Sequence, residues 1–214
     1  CCNRYMRYEN PLHLAEEAAG LDLLADNRIA LGISRGSPEP ADKGWESFGY
    51  TADEPNGADM ARAKWDRFLH AIDGHQMATA APAGQQYPNL YHPGTPLPVF
   101  PHSEGLRRRI WWGSGTNASA EQAARDGVNL MSSTLVSEAD GSSLGEIQAR
   151  QIQFFREAWK QAGHDWSPRV SVSRSIFPLV TERDHQLFGL HGESRDQIGS
   201  IEGATRTTFG RSYA

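Results

Sequence analysis

Cysteine is almost missing from this chain of 214 residues: the two present, Cys1 and Cys2, are adjacent at its start. No disulfide framework can be built from them, and a reducing cytoplasm is the expected setting. Long apolar runs are lacking as well, and with a mean hydropathy of −0.58 the sequence offers no candidate membrane span. Positive charge is not in excess. Lys and Arg total 21 against 26 Asp and Glu, a net charge of −5, with a pI near 5.9, which argues against a nucleic-acid surface. The run Arg107-Arg108-Arg109 reads as a solvated edge ahead of a strand. The 8 histidines show neither H-E-x-x-H nor paired ligand spacing, so no metal site is expected. A G-x-S-x-G nucleophile elbow and a secretory signal are also absent from the sequence.

What is there begins with Asn10 to Ser37, NPLHLAEEAAGLDLLADNRIALGISRGS. Asn10 can cap a helix and Pro11 falls at the first helical position, where its missing N–H costs nothing. Leu12, Ala15, Ala19 and Leu23 recur at helical spacing, which predicts a narrow buried face with Glu16, Glu17 and Asp22 on the solvated one. Asp26-Asn27 end the helix with a residue type that tolerates the left-handed conformation. Arg28 to Arg35 then reads as a strand buried on both faces, of the kind found in parallel sheets.

Met60, Trp65, Phe68, Leu69 and Ile72 predict a second helix over 57–73. Residues 74–109 hold six of the 12 prolines and read as a long excursion outside the domain. A second strand, Arg109 to Trp112, stops at Gly113-Ser114-Gly115-Thr116-Asn117 and passes into a helix through Ser119, Ala120, Ala123 and Ala124, which Gly127 ends. Trp111 and Trp112 read as core. Val128 to Leu135 is a third strand. A helix over 144–162 carries Leu144, Ile147, Ile152, Phe155, Trp159 and Ala162 on one side, with Gly163 as its stop. Arg169 to Val180 is a fourth strand. The recurring unit of strand, loop and helix implies an α/β fold with a mainly parallel sheet, in a single domain over 1–214. The chain starts without Met and ends at Gly-Arg-Ser-Tyr-Ala, so an internal piece of a longer protein is expected.

In a β/α barrel the working residues lie on loops after the strand carboxyl ends. That selects Ser34-Arg35-Gly36-Ser37, Gly113 to Ser119, Ser132 to Thr134 and Thr181-Glu182. The second of these suits an anion. Its glycines allow close approach, the N–H groups of the next helix point outward, and Thr116 and Ser119 add hydroxyls. Arg35 could add a bidentate counter-charge. A bland helix cap and a surface salt bridge are the plain alternatives. G-S-G-T-N-A also fits a loose dinucleotide fingerprint with Glu138 or Asp140 downstream, although those acids fall in a turn. His102-Ser103-Glu104 precedes the second strand, on the stability face, and is expected to be structural or part of a lid.

Three of these segments together resemble the luciferase-like monooxygenases, a family of flavin-dependent enzymes. They are NPLHLAEEAAGLDLLADNRIALGISRGS, IWWGSGTNASAEQAARDGVNLMSSTL, and RVSVSRSIFPLV followed by TERD. The resemblance implies a partial TIM (β/α)8-type barrel holding strands four to seven, with strands one to three and eight outside the chain. It implies that Arg35, Gly115, Thr116 and Ser119 hold the phosphate of FMN. Ser34 would match a position where bacterial luciferase has a reactive cysteine near the flavin ring. The family's catalytic histidine has no counterpart here, so the catalytic residue is unassigned. Residues 183–210 match an insertion that often forms a lid. The implied activity is oxidation of a small organic substrate by reduced FMN and O2, with a separate flavin reductase as partner and a homodimer as assembly. An F420-dependent hydride-transfer enzyme and a non-catalytic flavin-binding protein are the alternatives. Half a barrel, with open sheet edges, is expected to be inactive alone.

Overall fold

The computed structural model describes residues 3–36, 44–48, 57–136, 142–173, 177–178, 180–188, 199–200 and 212–213. By internal packing the chain divides into two compact units, Cys1–Trp111 and Trp112–Ala214.

In the first unit, strand β1 (Asn3–Tyr5) leads into helix α1 (Pro11–Leu24) and then strand β2 (Leu31–Ser34). β1 and β2 pair in parallel, with Arg4 opposite Ile33 and Tyr5 opposite Ser34. Sequence patterning did not anticipate β1, because three residues are too few for a period to register. α1 starts where its residues dictate: the Asn10 side chain accepts from the amides of Leu12 (3.0 Å) and His13 (3.3 Å). Asp26 and Asn27, at φ of 53° and 57°, end it in the left-handed region.

The inward face of α1 differs from the one expected. Its buried residues are Pro11, Leu14, Ala15, Ala18, Ala19 and Asp22. Leu23, expected inside, is exposed, and Leu12 is half-buried. Asp22, expected in solvent, is fully buried, because Arg109 and Ser103 from a distant segment meet its carboxylate. A charge can be buried once it is paired. Arg109 and Arg107 are accordingly ion-pair partners, of Asp22 and Asp73, rather than a solvated edge.

Helix α2 (Ala58–Ile72) packs on α1 and buries Ala61, Trp65, Phe68, Leu69, Ala71 and Ile72, close to the expected face; Met60 is half-buried. The proline-rich excursion is more tied down than its composition suggests. It carries a short antiparallel pair, β3 (Ala78–Thr79) and β4 (Pro96–Leu97), and it buries Ala80, Ser103 and Leu106.

Strand β5 (Ile110–Ser114) runs through the division between the units. Ile110 and Ser114 are its buried ends, while Trp111 and Trp112, expected as core, are both half-buried. The second unit continues with α3 (Asn117–Arg125), β6 (Asn129–Ser132), β7 (Leu135–Val136), α4 (Leu144–Ala162), β8 (Val170–Val172) and α5 (Glu182–Phe188). β6 and β8 pair in parallel, Met131 opposite Ser171. Of the expected strand over 169–180, the described residues include strands at Val170–Val172 and Phe177–Pro178, and 174–176 and 179 lie outside the described residues.

α4 begins at a capping box, Ser143 with Glu146, and stops at Gly163 with φ 71°, as its sequence predicts. Leu144, Ile147, Phe155 and Trp159 are buried as expected. Ile152 is half-buried and Ala162 exposed; Gln148 and Gln151 are buried in their stead. α4 packs on both α3 and β6, and its buried face mixes apolar Leu144, Ile147, Phe155 and Trp159 with Gln148 and Gln151, whose side chains bond the segment at the end of β6.

Among the described residues no helix is long and apolar enough to cross a membrane.

Candidate cofactor-binding site

The expected anion loop is built at the carboxyl end of β5. Ser114 closes the strand, Gly115 and Thr116 make the turn, and α3 starts at Asn117. Thr116 is extended (φ −135°, ψ 156°) and is the N-cap: its Oγ1 accepts from the Ser119 amide at 3.0 Å. Around it three hydroxyls interlock. Thr116 Oγ1 donates to Ser119 Oγ (3.0 Å), and Ser114 Oγ donates to the Thr116 carbonyl (2.9 Å). Ser119 Oγ lies 2.5 Å from Ser114 Oγ.

The hydroxyls of Thr116 and Ser119 thus shape the turn before any ligand arrives. Thr116 and Ser119 are the hydroxyls expected at a phosphate; Ser114, inside the same expected loop but with no role expected for it, is fully buried. Its signal was faint: the last residue of a strand before a glycine, whose hydroxyl bonds within the turn while its carbonyl accepts from the Ser133 amide (2.9 Å). Among the described residues no carboxylate enters this set of hydrogen bonds, and the positive end of the α3 dipole faces the turn. The geometry therefore fits an anion.

Ser34 and Arg35 belong to the first unit, at the carboxyl end of β2. The Ser34 carbonyl accepts from the Met6 amide (2.9 Å) and that of Arg35 from the Arg7 amide (3.4 Å), so the residues directly after β1 hold the main chain of both. Ser34 is half-buried and Arg35 is exposed. Among the described residues no hydrogen bond or ion pair engages the Arg35 guanidinium. Gly36 follows at φ +111°, a conformation L side chains rarely adopt. Ser37, Glu138 and Asp140 lie outside the described residues.

His102, Ser103 and Glu104 do not form a reactive set. Ser103 Oγ donates to Asp22 Oδ2 at 2.6 Å in the interior, and His102 packs instead beside Gly74. At Thr181 the hydroxyl and amide donate to Asp184 (both 2.8 Å), capping α5. These bonds, the Thr181 hydroxyl first, hold the Asp184 carboxyl below its ordinary range.

Residues 6–200 match the family model of the luciferase-like monooxygenases, and the chain belongs to that family. Among curated sequences none matches it. Solved structures similar to it include a monooxygenase, RslO1, from Streptomyces bottropensis: TM-score 0.59, 19% identity, covering 86% of this chain and 51% of that one. The oxygenating constituent of 3,6-diketocamphane monooxygenase from Pseudomonas putida, solved with FMN, gives TM-score 0.56 and 17% identity over 86% of this chain and 50% of that one. An F420-dependent secondary alcohol dehydrogenase gives TM-score 0.54 and 15% identity over 79% and 46%. The chain spans about half the length of these structures. Its parallel β/α succession and that coverage agree with a partial (β/α)8-type barrel.

Proposed function

We propose that this protein contributes the phosphate-holding part of a flavin-dependent oxidoreductase that uses reduced FMN and O2 to oxidise a small organic substrate. The observation that carries the reading is the turn at the start of α3, a hydroxyl-lined cradle at a helix N-terminus in a chain of the luciferase-like family. Gly115, Thr116 and Ser119 would hold the phosphate, and Arg35 would offer it a two-pronged guanidinium. Ser34 would stand near the flavin ring, where a hydroxyl replaces the thiol of bacterial luciferase and removes thiol-dependent behaviour. When bound, the flavin supplies the redox chemistry with oxygen; the protein binds its phosphate, orients it and shields the reacting face from water.

The wider reading has residues 1–214 as a single-domain piece of the barrel and residues 183–210 as a lid. The partners are a flavin reductase and a second copy of the chain, in a cytoplasmic setting. Hydride transfer with F420 is the second reading, favoured by the likeness to an F420-dependent dehydrogenase.

Fluorescence titration of the protein at its full natural length with FMN, F420 and NADPH, beside Arg35→Ala, tests the proposal. FMN binding that Arg35→Ala weakens supports it, and preference for F420 selects the second reading. Binding indifferent to Arg35, or selective for NADPH, returns the dinucleotide reading.

A further inference from the structure

Behind the anion turn lies a hydrogen-bonded chain centred on a residue with no assigned role. Gln148, in the second turn of α4, is 2% exposed. Its Nε2 donates to the carbonyls of Ser133 (3.1 Å), Ser132 (3.4 Å) and Ser173 (3.4 Å). Three carbonyl oxygens around one terminal group settle its orientation, because the reversed amide would set Oε1 against three acceptors. The same main-chain segment reaches the cradle. The Ser133 amide donates to the Ser114 carbonyl (2.9 Å), and the Ser173 amide to the Ser132 carbonyl (3.0 Å). Ser114 in turn bonds Ser119 and the Thr116 carbonyl. One buried amide thus ties together the segments that follow β6 and β8, and through Ser133 it sets the end of β5 on which the α3 N-terminus is built.

We infer that Gln148 is a positioning residue for the cradle: it keeps Ser114, Thr116 and Ser119 in phosphate-holding register without touching the ligand. This rests on the flavin reading of that cradle. Gln151, one turn along the same face and fully buried, offers the comparison. Its Oε1 accepts from Ser132 Oγ (2.7 Å), so it bonds a side chain and none of the three carbonyls. Losing it leaves the main-chain ties of Gln148 in place.

The test compares FMN with riboflavin, which carries the same ring system but no phosphate, in the full-length protein and in Gln148→Met and Gln151→Met. Methionine keeps the length of the side chain and removes the donor. In Gln148→Met the affinity for FMN falls about tenfold, the loss of one to two hydrogen bonds' worth of alignment, while that for riboflavin changes less than about twofold. In Gln151→Met the ratio of the two affinities stays at the wild-type value. Equal weakening of both ligands in Gln148→Met, no weakening, or an equal change of ratio in Gln151→Met overturns the assignment. Should Gln148→Met fail to fold, the side-chain amide resonance of Gln148 in the unaltered protein decides: it shifts with FMN and not with riboflavin, and the same response to both overturns the inference. Unaltered protein that binds neither ligand overturns the flavin reading, and the inference with it.

Discussion

Arg109 closes on the buried carboxylate of Asp22: its Nε and Nη2 reach Oδ2 at 2.9 and 2.5 Å, and Asp22 has no exposed surface. The pair joins α1 to the segment entering β5, with Ser103 Oγ on the same oxygen at 2.6 Å. Removing one member leaves the other charged and buried. Asp22→Ala and Arg109→Leu should each lower unfolding free energy by about 3–5 kcal/mol, and the double variant by less than their sum. Denaturant titration of the three variants checks this; additive losses would mean that the two residues do not act as a pair.

Thr116→Val keeps the shape of the side chain at the α3 N-cap but deletes the acceptor of the Ser119 amide. The expected loss is about 1 kcal/mol, recovered by Thr116→Ser. Stability indifferent to Thr116→Val in thermal unfolding would remove the cap from the account of the turn.

Gly127 sits after α3 at φ +68°, and a Cβ there would come within 2.9 Å of His164 Cε1. His164 is held in place by the Ala124 carbonyl at 2.7 Å and by the Trp159 ring, 4.3 Å between centroids. Gly127→Ala therefore meets both backbone strain and a crowded ring, and should destabilise by more than about 1 kcal/mol. His164→Ala relieves the steric part only, so Gly127→Ala should cost less in that background. Equal cost in both backgrounds would show that the ring does not crowd the site.

Asp184 carries a pH signature. Its carboxyl lies below the ordinary value because the ionised form accepts from Thr181 and Val180, so the cap of α5 is at full strength above the unfolded-state value of about 3.9. That contribution fades as pH falls through the lower folded-state value. Asp184→Asn should show less acid loss of α5 order than the parent across that window. NMR shifts of residues 182–188 between pH 2 and 6 report it, and identical curves would sink the idea.

Local rules carried much of this protein into view from the sequence alone. The cap at Asn10, the left-handed Asp26-Asn27 stop, the stop at Gly163 and the strand-to-helix turn at Gly115-Thr116 depend on residues within four positions of one another. They were legible because backbone preference and a neighbouring amide decide them. The family too was legible, in three motifs whose order is a property of the chain.

Tertiary structure decided what depends on distant partners. Asp22 lies 87 positions from Arg109 and is charged, so its place on the helix spoke for solvent until the guanidinium and Ser103 were brought to it. Gln148 and Gln151 are polar residues on α4, yet they are inside because segments 15 to 25 residues away offer main-chain carbonyls to Gln148 and the Ser132 hydroxyl to Gln151. Apolar periodicity reports which face is greasy. Which polar group can be buried is settled by the hydrogen-bond partners that the fold delivers, since a buried polar atom is tolerated only where they are supplied.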